Sequence, residues 1–243
     1  MDAIRTLRYR LKVRDLFPPN DPLVSHLLRL MAAVNDLSAL SRLYLQSSSR
    51  SGQNSSEEHI ISSENVYFVR LSCGSLYEAA LVFQEFRREL EQAGLLAEIN
   101  YLDGQARESF HLLENTFRPG FEITSDFGKI LVQLRNSIFH YQQPRVFRRA
   151  LEEHDEEGEL IIGEIGGVTR YTLADDLQVQ IIMRPIGVEH KLAVLSDTVA
   201  NLVIALQRFV NAWCDRHLQA RHSAVQEQVP ETVDIERLWR IQP

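Results

Sequence analysis

The chain has 243 residues, of which 44% are hydrophobic and 24% charged, so we expect a globular domain with a sizeable core. The net charge of -7 argues against non-specific coating of nucleic acid, although a local basic surface is compatible with it. Two isolated cysteines provide neither a disulfide framework nor a zinc-ligand spacing. Without a run of about 18 apolar residues or a signal-peptide pattern, the sequence predicts a cytoplasmic protein with no membrane contact, metal or cofactor.

The first predicted element is a β-strand that covers about residues 4–14. From residue 7 to residue 14 apolar and basic side chains alternate strictly, which is the period-two pattern of a strand with one apolar and one basic face. Arg8 and Arg10 belong to the basic face. Two roles are open for this face: it provides a positive field for RNA, or it pairs with the acidic run at residues 152–159 as a surface clasp.

A series of amphipathic helices follows, each indicated by apolar residues that recur every three or four positions. Pro22 in a first turn, with Asn20 or Asp21 as the N-cap, predicts the start of the first helix. The Ser-rich segment at residues 47–56 predicts a mobile loop. The helices are expected at about residues 22–46, 63–93 and 96–117, and a fourth begins near residue 125 or 126.

Pro144 follows the fourth helix, which is not expected to continue beyond it. Residues 159–183 then form short β-branched runs between glycine and aspartate pairs, which predicts an antiparallel β-insertion of two or three strands. A last long helix is predicted at about residues 188–221, and the polar tail at residues 223–243 is expected to be loosely ordered. The predicted fold is mainly α: a single domain over residues 1–222, built as an up-down helical bundle with this insertion.

The fourth helix carries the candidate catalytic residues Arg135, Asn136 and His140. Arginine binds a phosphate through a planar fork of donors, and histidine transfers protons near neutral pH. An arginine that precedes a histidine by five or six positions also occurs elsewhere in this chain, so the spacing alone is a weak signal. The distinguishing features are the asparagine directly after the arginine and the position of all three residues beside an apolar helix stripe.

The segment Arg135-Asn136-Ser137-Ile138-Phe139-His140 resembles the motif of the HEPN (higher eukaryotes and prokaryotes nucleotide-binding) superfamily. The resemblance covers the helices from about residue 20 to residue 221 in outline. It implies a homodimeric helical bundle and a metal-independent endoribonuclease of a toxin–antitoxin or antiviral defence system, controlled by an antitoxin or another regulatory protein. Gln142 stands where members regulated by nucleotidyl modification carry a tyrosine, so this regulation is not expected.

Residues that follow the motif extend the candidate site toward RNA. Tyr141 either stacks on a base or packs against the bundle. Arg145, Arg148 and Arg149 provide the local positive charge that the whole chain lacks. These residues, with the basic face of the N-terminal strand, are the predicted substrate-binding positions.

Other interpretations of the motif stay open. Glu78, in the second long helix, is a weaker candidate for orienting Arg135, and a solvated helix charge is the favoured interpretation for it. Arg135 and His140 either form an active site or form a structural hydrogen-bonded cluster at one end of the bundle. In the second case the protein is a non-catalytic module for dimerisation or protein interaction.

Overall fold

The fold is known from a computed structural model, which describes residues 4–139, 148–149, 151–152, 162–165, 168–171, 177, 191–221 and 225–233. In this part of the chain the fold is mainly helical, as the sequence predicts. The elements in chain order are β1 (Ile4–Leu11), α1 (Val13–Leu16), α2 (Pro22–Ser48), α3 (Ser55–Gln92), a 3-10 helix (Leu96–Tyr101), α4 (Gly104–Thr116), α5 (Phe121–Thr124), α6 (Asp126–Phe139), β2 (Ile162–Ile165), β3 (Val168–Tyr171), α7 (Lys191–Ala220) and β4 (Val225–Val233).

The ends of α2 and α3 are set by side-chain caps. Asp21 Oδ1 accepts a hydrogen bond from the backbone N–H of Leu23 at 3.0 Å, which confirms the predicted start of α2. The start of α3 was predicted eight residues too late, because the Ser-rich segment supplies its own cap. Asn54 Oδ1 accepts from the backbone N–H of Glu57 at 3.0 Å, and the Glu57 carboxylate accepts from the backbone N–H of Gln53 at 2.7 Å. The predicted loop is therefore shortened to residues 49–54.

The range predicted as the third helix, about residues 96–117, contains two separate helical elements. A 3-10 helix covers the first residues of the range, and α4 begins after Asp103, whose Oδ1 accepts from the backbone N–H of Ala106 at 2.9 Å. The less regular apolar pattern at residues 96–102 reflects this break, because a 3-10 helix has three residues per turn.

The core is a contiguous set of apolar side chains from α2, α3, α4, α6 and α7. Aromatic rings join three of these helices: the centroids of Phe110 and Phe209 are 5.2 Å apart, and those of Phe86 and Trp213 are 5.5 Å apart. Cys73 is fully buried, and burial raises the pKa of its thiol to about 12, so it packs as a small apolar side chain, as predicted. Within this arrangement α6 packs against α3.

The start of α6 is held by a close backbone contact. Gly120 takes a left-handed conformation with φ of 78°, and α5 leads directly from it to Ser125. Ser125 Oγ donates to the Phe121 carbonyl oxygen at 2.9 Å and accepts from the backbone N–H of Gly128 at 2.9 Å. A Cβ atom at Gly128 would lie only 2.1 Å from the same carbonyl oxygen, so only glycine allows this approach. The contact fixes the direction in which α6 leaves the turn.

Substitution of Gly128 by alanine is expected to destabilise the fold by roughly 1–3 kcal/mol, the usual cost of overpacking. The new methyl group would meet backbone atoms of Phe121, which cannot move without breaking the Ser125 hydrogen bonds. Chemical denaturation measures the change. Gly104→Ala is the matched control, because a Cβ there meets no atom within 4 Å; equal stability of both variants would contradict the close contact.

Two antiparallel strand pairs accompany the helices. β1 pairs with β4, with Arg8 opposite Val229 and Arg10 opposite Glu227. The N-terminal strand ends at Leu11 and not near residue 14, because Val13–Leu16 form the short helix α1 with Leu16 buried. The tail at residues 223–243 was predicted to be loosely ordered, and this is wrong for Val225–Val233, which supply the hydrogen-bonding partner that a single strand needs. Residues 234–243 lie outside the described part of the chain.

The second strand pair lies within the range of the predicted β-insertion. β2 and β3 pair antiparallel, with Ile162 opposite Tyr171 and Ile165 opposite Val168. Most of the remaining residues from 159 to 183 lie outside the described part of the chain, so the insertion as a whole stays a prediction.

Among the described residues, two helices are long and apolar enough to cross a membrane by length and composition: Pro22–Ser48 and Glu57–Gln92. Helices of this kind are also common in the cores of soluble proteins, and the apolar window of the second is 56% buried within the fold. This observation is weak evidence for a membrane, and both helices have packing partners in the bundle.

Candidate functional site

Arg135 and Asn136 lie near the end of α6, at the edge of its buried face. Leu131 and Leu134 are 0% and 1% exposed and anchor this face in the core. Because successive helix residues are rotated by about 100°, the two residues after Leu134 turn away from the core. The Arg135 side chain is 38% exposed and Asn136 is partly exposed, so the guanidinium group is accessible from solvent.

Glu78 of α3 is the ion-pair partner of Arg135. Arg135 Nε donates to Glu78 Oε1 at 3.0 Å, across the contact between α3 and α6. The sequence favoured a solvated charge for Glu78, and the structure instead supports the weaker interpretation, in which it orients the arginine. With side chains 38% and 51% exposed, this pair contributes only about 0–1 kcal/mol to stability, so its main effect is on orientation.

The hydrogen bonds of Arg135 leave one edge of its guanidinium group accessible. Its Nη1 amino group makes only a long contact of 3.5 Å to Asn136 Oδ1. Within the described part of the chain, Nη2 has no hydrogen-bond partner. A guanidinium held through Nε presents its two amino groups as a fork, which is the arrangement that binds phosphate oxygens in pairs.

The other predicted residues around the motif are described only in part. His140, Tyr141 and Arg145 lie outside the described residues. Arg148 and Arg149 are helical and exposed, as residues that provide a positive surface must be. The structure therefore brings together Arg135, its neighbour in sequence and a carboxylate from another helix.

The basic face of the N-terminal strand has acidic residues on the neighbouring strand. Arg10 of β1 is in register with Glu227 of β4, and Glu231 is in register with Thr6, two residues from Arg8. The register alone therefore places two acidic residues of β4 opposite residues of the first strand. The predicted clasp with residues 152–159 falls mainly outside the described residues and stays a prediction.

Cys214, Asp215 and His217 do not form a metal site, and the described residues contain no cluster of three or more metal-binding side chains. His217 Nε2 donates to the Leu16 carbonyl oxygen at 2.8 Å, and Nδ1 accepts from Arg221 Nη1 at 2.9 Å. Arg221 Nη2 also donates to Asp21 Oδ2 at 3.0 Å. Burial lowers the pKa of His217 despite the Leu16 hydrogen bond, so the histidine links the end of α7 to the start of α2 as a neutral group.

An exposed aromatic ring on α3 was not predicted from the sequence. Tyr67 is 39% exposed, and Arg70 Cζ lies 5.3 Å from the centroid of its ring. The available signal was the spacing of eleven residues between Tyr67 and Glu78, which places both on nearly the same face of a helix.

The candidate site is thus a partly exposed arginine on α6 that a glutamate of α3 orients, with an asparagine beside it. Its donors fit a phosphate group, and its carboxylate is already engaged by the arginine. Comparison with protein-family models, with curated proteins and with solved structures finds no match to this chain, so the assignment of the site depends on its own residues and geometry.

Proposed function

We propose that this chain is a HEPN-type, metal-independent endoribonuclease that acts as a homodimer through Arg135, Asn136 and His140. The observation that carries the proposal is the Arg135 guanidinium group, which is accessible and is held by Glu78. Within the described part of the chain, its Nη2 amino group has no hydrogen-bond partner and can donate to a phosphate. The mainly helical fold around it is compatible with the bundle that the motif implies.

The proposed reaction is transesterification within the RNA strand. The 2′-oxygen forms a bond to the adjacent phosphorus while the bond from phosphorus to the 5′-oxygen breaks. His140 of one protomer accepts the proton of the 2′-hydroxyl, and a second His140 in the homodimer protonates the 5′-oxygen. Arg135 stabilises the negative charge that grows on the phosphate oxygens, and Asn136 orients His140 or binds a phosphate oxygen. No oxidant, metal or cofactor is needed to balance this step.

Substrate RNA is proposed to follow the basic residues near the motif. Arg145, Arg148 and Arg149 attract the phosphate backbone, Tyr141 contacts a base, and Arg8 and Arg10 extend the positive surface. The β-insertion is an addition to the minimal bundle. In this proposal the protein is a toxin or phage-defence effector, and an antitoxin or another regulatory protein controls its activity.

Cleavage of RNA is expected to continue in the presence of EDTA and to give 2′,3′-cyclic phosphate and 5′-hydroxyl ends. The reason is that the proposed proton transfers and charge stabilisation use side chains alone. Purified protein incubated with total RNA, with and without EDTA, tests this, followed by analysis of the product ends. His140→Ala, purified in parallel, controls for contaminating nucleases. Equal cleavage by this variant, or cleavage that requires added magnesium, would show the assignment to be wrong.

A non-catalytic interaction module is the second candidate, and an apolar cavity favours it. This cavity of about 300 Å³ lies between α2, α3 and α7. Leu45 and Ile204, which line it, are 64% and 42% exposed. Exposed apolar surface of this kind is typical of sites that bind other proteins. Absence of RNA cleavage under all conditions, together with a stable dimer, would favour this function.

A further inference from the structure

The face of α3 that carries Glu78 is exposed at Tyr67 and at Glu78 and is buried at Gly74 between them. Tyr67 precedes Glu78 by eleven residues, which returns to within about 20° of the same direction and advances about 16 Å along the axis. Leu71 and Ser75, which lie between them on this face, are partly exposed. We call Tyr67, Leu71, Ser75 and Glu78 the α3 stripe. The α3 stripe leads from the Arg135 ion pair to an aromatic ring.

The ring of Tyr67 is exposed and held in place. Arg70, which is only 4% exposed, covers one face of the ring, with Cζ 5.3 Å from the ring centroid. Phe68 packs edge-on, with the two ring centroids 5.7 Å apart. A guanidinium over an aromatic face is a favourable cation–π contact. Because Arg70 is fixed by burial, a flat ligand on the opposite face would bind with little further loss of side-chain freedom.

We propose that Tyr67 is a stacking platform for a base of single-stranded RNA whose phosphate binds Arg135. This inference rests on the proposed function and adds a substrate-binding residue to it. Single-stranded RNA is recognised through aromatic side chains that stack on unpaired bases beside cationic groups that bind phosphates. The α3 stripe provides the aromatic ring at one end, and Glu78 at its other end holds the cationic group, Arg135 of α6. The stacked base lies a few nucleotides from the phosphate at Arg135.

Tyr101 offers a matched comparison within the same chain. It is 71% exposed, and Arg216 Cζ lies 5.3 Å from the centroid of its ring. Arg216 is paired with Glu98, and Tyr101 belongs to the 3-10 helix and not to the α3 stripe. The two tyrosines therefore share exposure and an arginine contact and differ in their relation to Arg135.

The test is binding of a short, mixed-sequence, fluorescein-labelled 2′-O-methyl RNA, in which attack by the 2′-oxygen is blocked. Fluorescence anisotropy is expected to show binding weakened about fivefold to more than a hundredfold for Tyr67→Leu, the range found when one stacked base loses its aromatic partner. Tyr67→Phe, which keeps the ring, and Tyr101→Leu, the control, should bind as the unmodified protein does. Thermal unfolding checks that each variant is folded. If Tyr67→Leu does not fold, Tyr67→Gln is used in its place.

An RNA with abasic positions tests whether loss of stacking is the cause of the weaker binding. The same RNA with abasic positions should bind less tightly to the unmodified protein, and this penalty should shrink in Tyr67→Leu because the stacking contact is already lost. Equal affinity of Tyr67→Leu and the unmodified protein, with RNA cleavage intact, would overturn the platform and leave the nuclease in place. Binding that depends on Tyr67 without cleavage would overturn the nuclease alone. Absence of RNA binding would overturn both.

Discussion

Replacing Arg135 with alanine is expected to lower the rate of RNA cleavage by about a hundredfold to a thousandfold, as the loss of one preorganised donor does in other active sites. The guanidinium group is already oriented by Glu78, so it needs little reorganisation when charge develops on the phosphate. Because that charge is largest in the transition state, the loss should fall mainly on kcat. Single-turnover cleavage of a labelled RNA at saturating protein measures the effect.

Two further variants control this prediction. Arg135→Lys keeps the charge but loses the planar fork, so an intermediate rate is expected. Arg88→Ala removes an exposed arginine that lies on α3, whereas Arg135 lies on α6, and this change should leave cleavage unchanged. The melting temperature should change little in each case, because ion pairs as exposed as the Arg135–Glu78 pair, at 38% and 51%, contribute little to stability. Unchanged cleavage by Arg135→Ala would remove the residue from the site, and a large fall in melting temperature would indicate the structural cluster instead.

The helices were the most predictable part of the fold, because burial against a core imposes a period that can be counted. Asp21 and Pro22 marked the start of α2 correctly, since a capping carboxylate accepts from unpaired backbone N–H groups of the first turn and a proline there removes one such group. The start of α3 was missed because Asn54 and Glu57 cap it within a segment whose serine content resembles a loop. The composition of that segment is typical of a loop, but two capping hydrogen bonds start the helix within it.

Contacts between distant segments were the less predictable part. The strand β4 contains Pro230 and alternates weakly, so nothing local distinguishes it from a loose tail, and its pairing with β1 depends on a partner more than 200 residues away. The same holds for the site. Arg135 and Asn136 could be found from the sequence, but the engagement of Glu78 depends on how α3 and α6 meet, and that contact spans 57 positions. Helix periodicity reports which face is buried and does not report which charged groups meet at its edge.

Glu78→Gln is expected to reduce the kcat of RNA cleavage about tenfold, less than Arg135→Ala, because it loosens the arginine without removing it. The amide oxygen still accepts a hydrogen bond from Arg135 Nε, but the negative charge that fixes the guanidinium is lost. KM should change little if Glu78 touches only Arg135 and not the RNA. The kcat and KM values from steady-state cleavage of one short RNA separate these effects.

Glu85→Gln is the matched control for this positioning role. Glu85 lies two turns further along α3, is 39% exposed and forms an ion pair with Arg29, so its loss removes a similar surface pair away from the site. Both variants should keep their stability within about 1 kcal/mol, since exposed pairs contribute little. A lower kcat for Glu78→Gln alone, at equal stability, would identify the carboxylate as the group that positions Arg135. If both variants cleave RNA as the unmodified protein does, the Glu78–Arg135 contact is an ordinary surface ion pair, and orientation of Arg135 must come from elsewhere in the dimer.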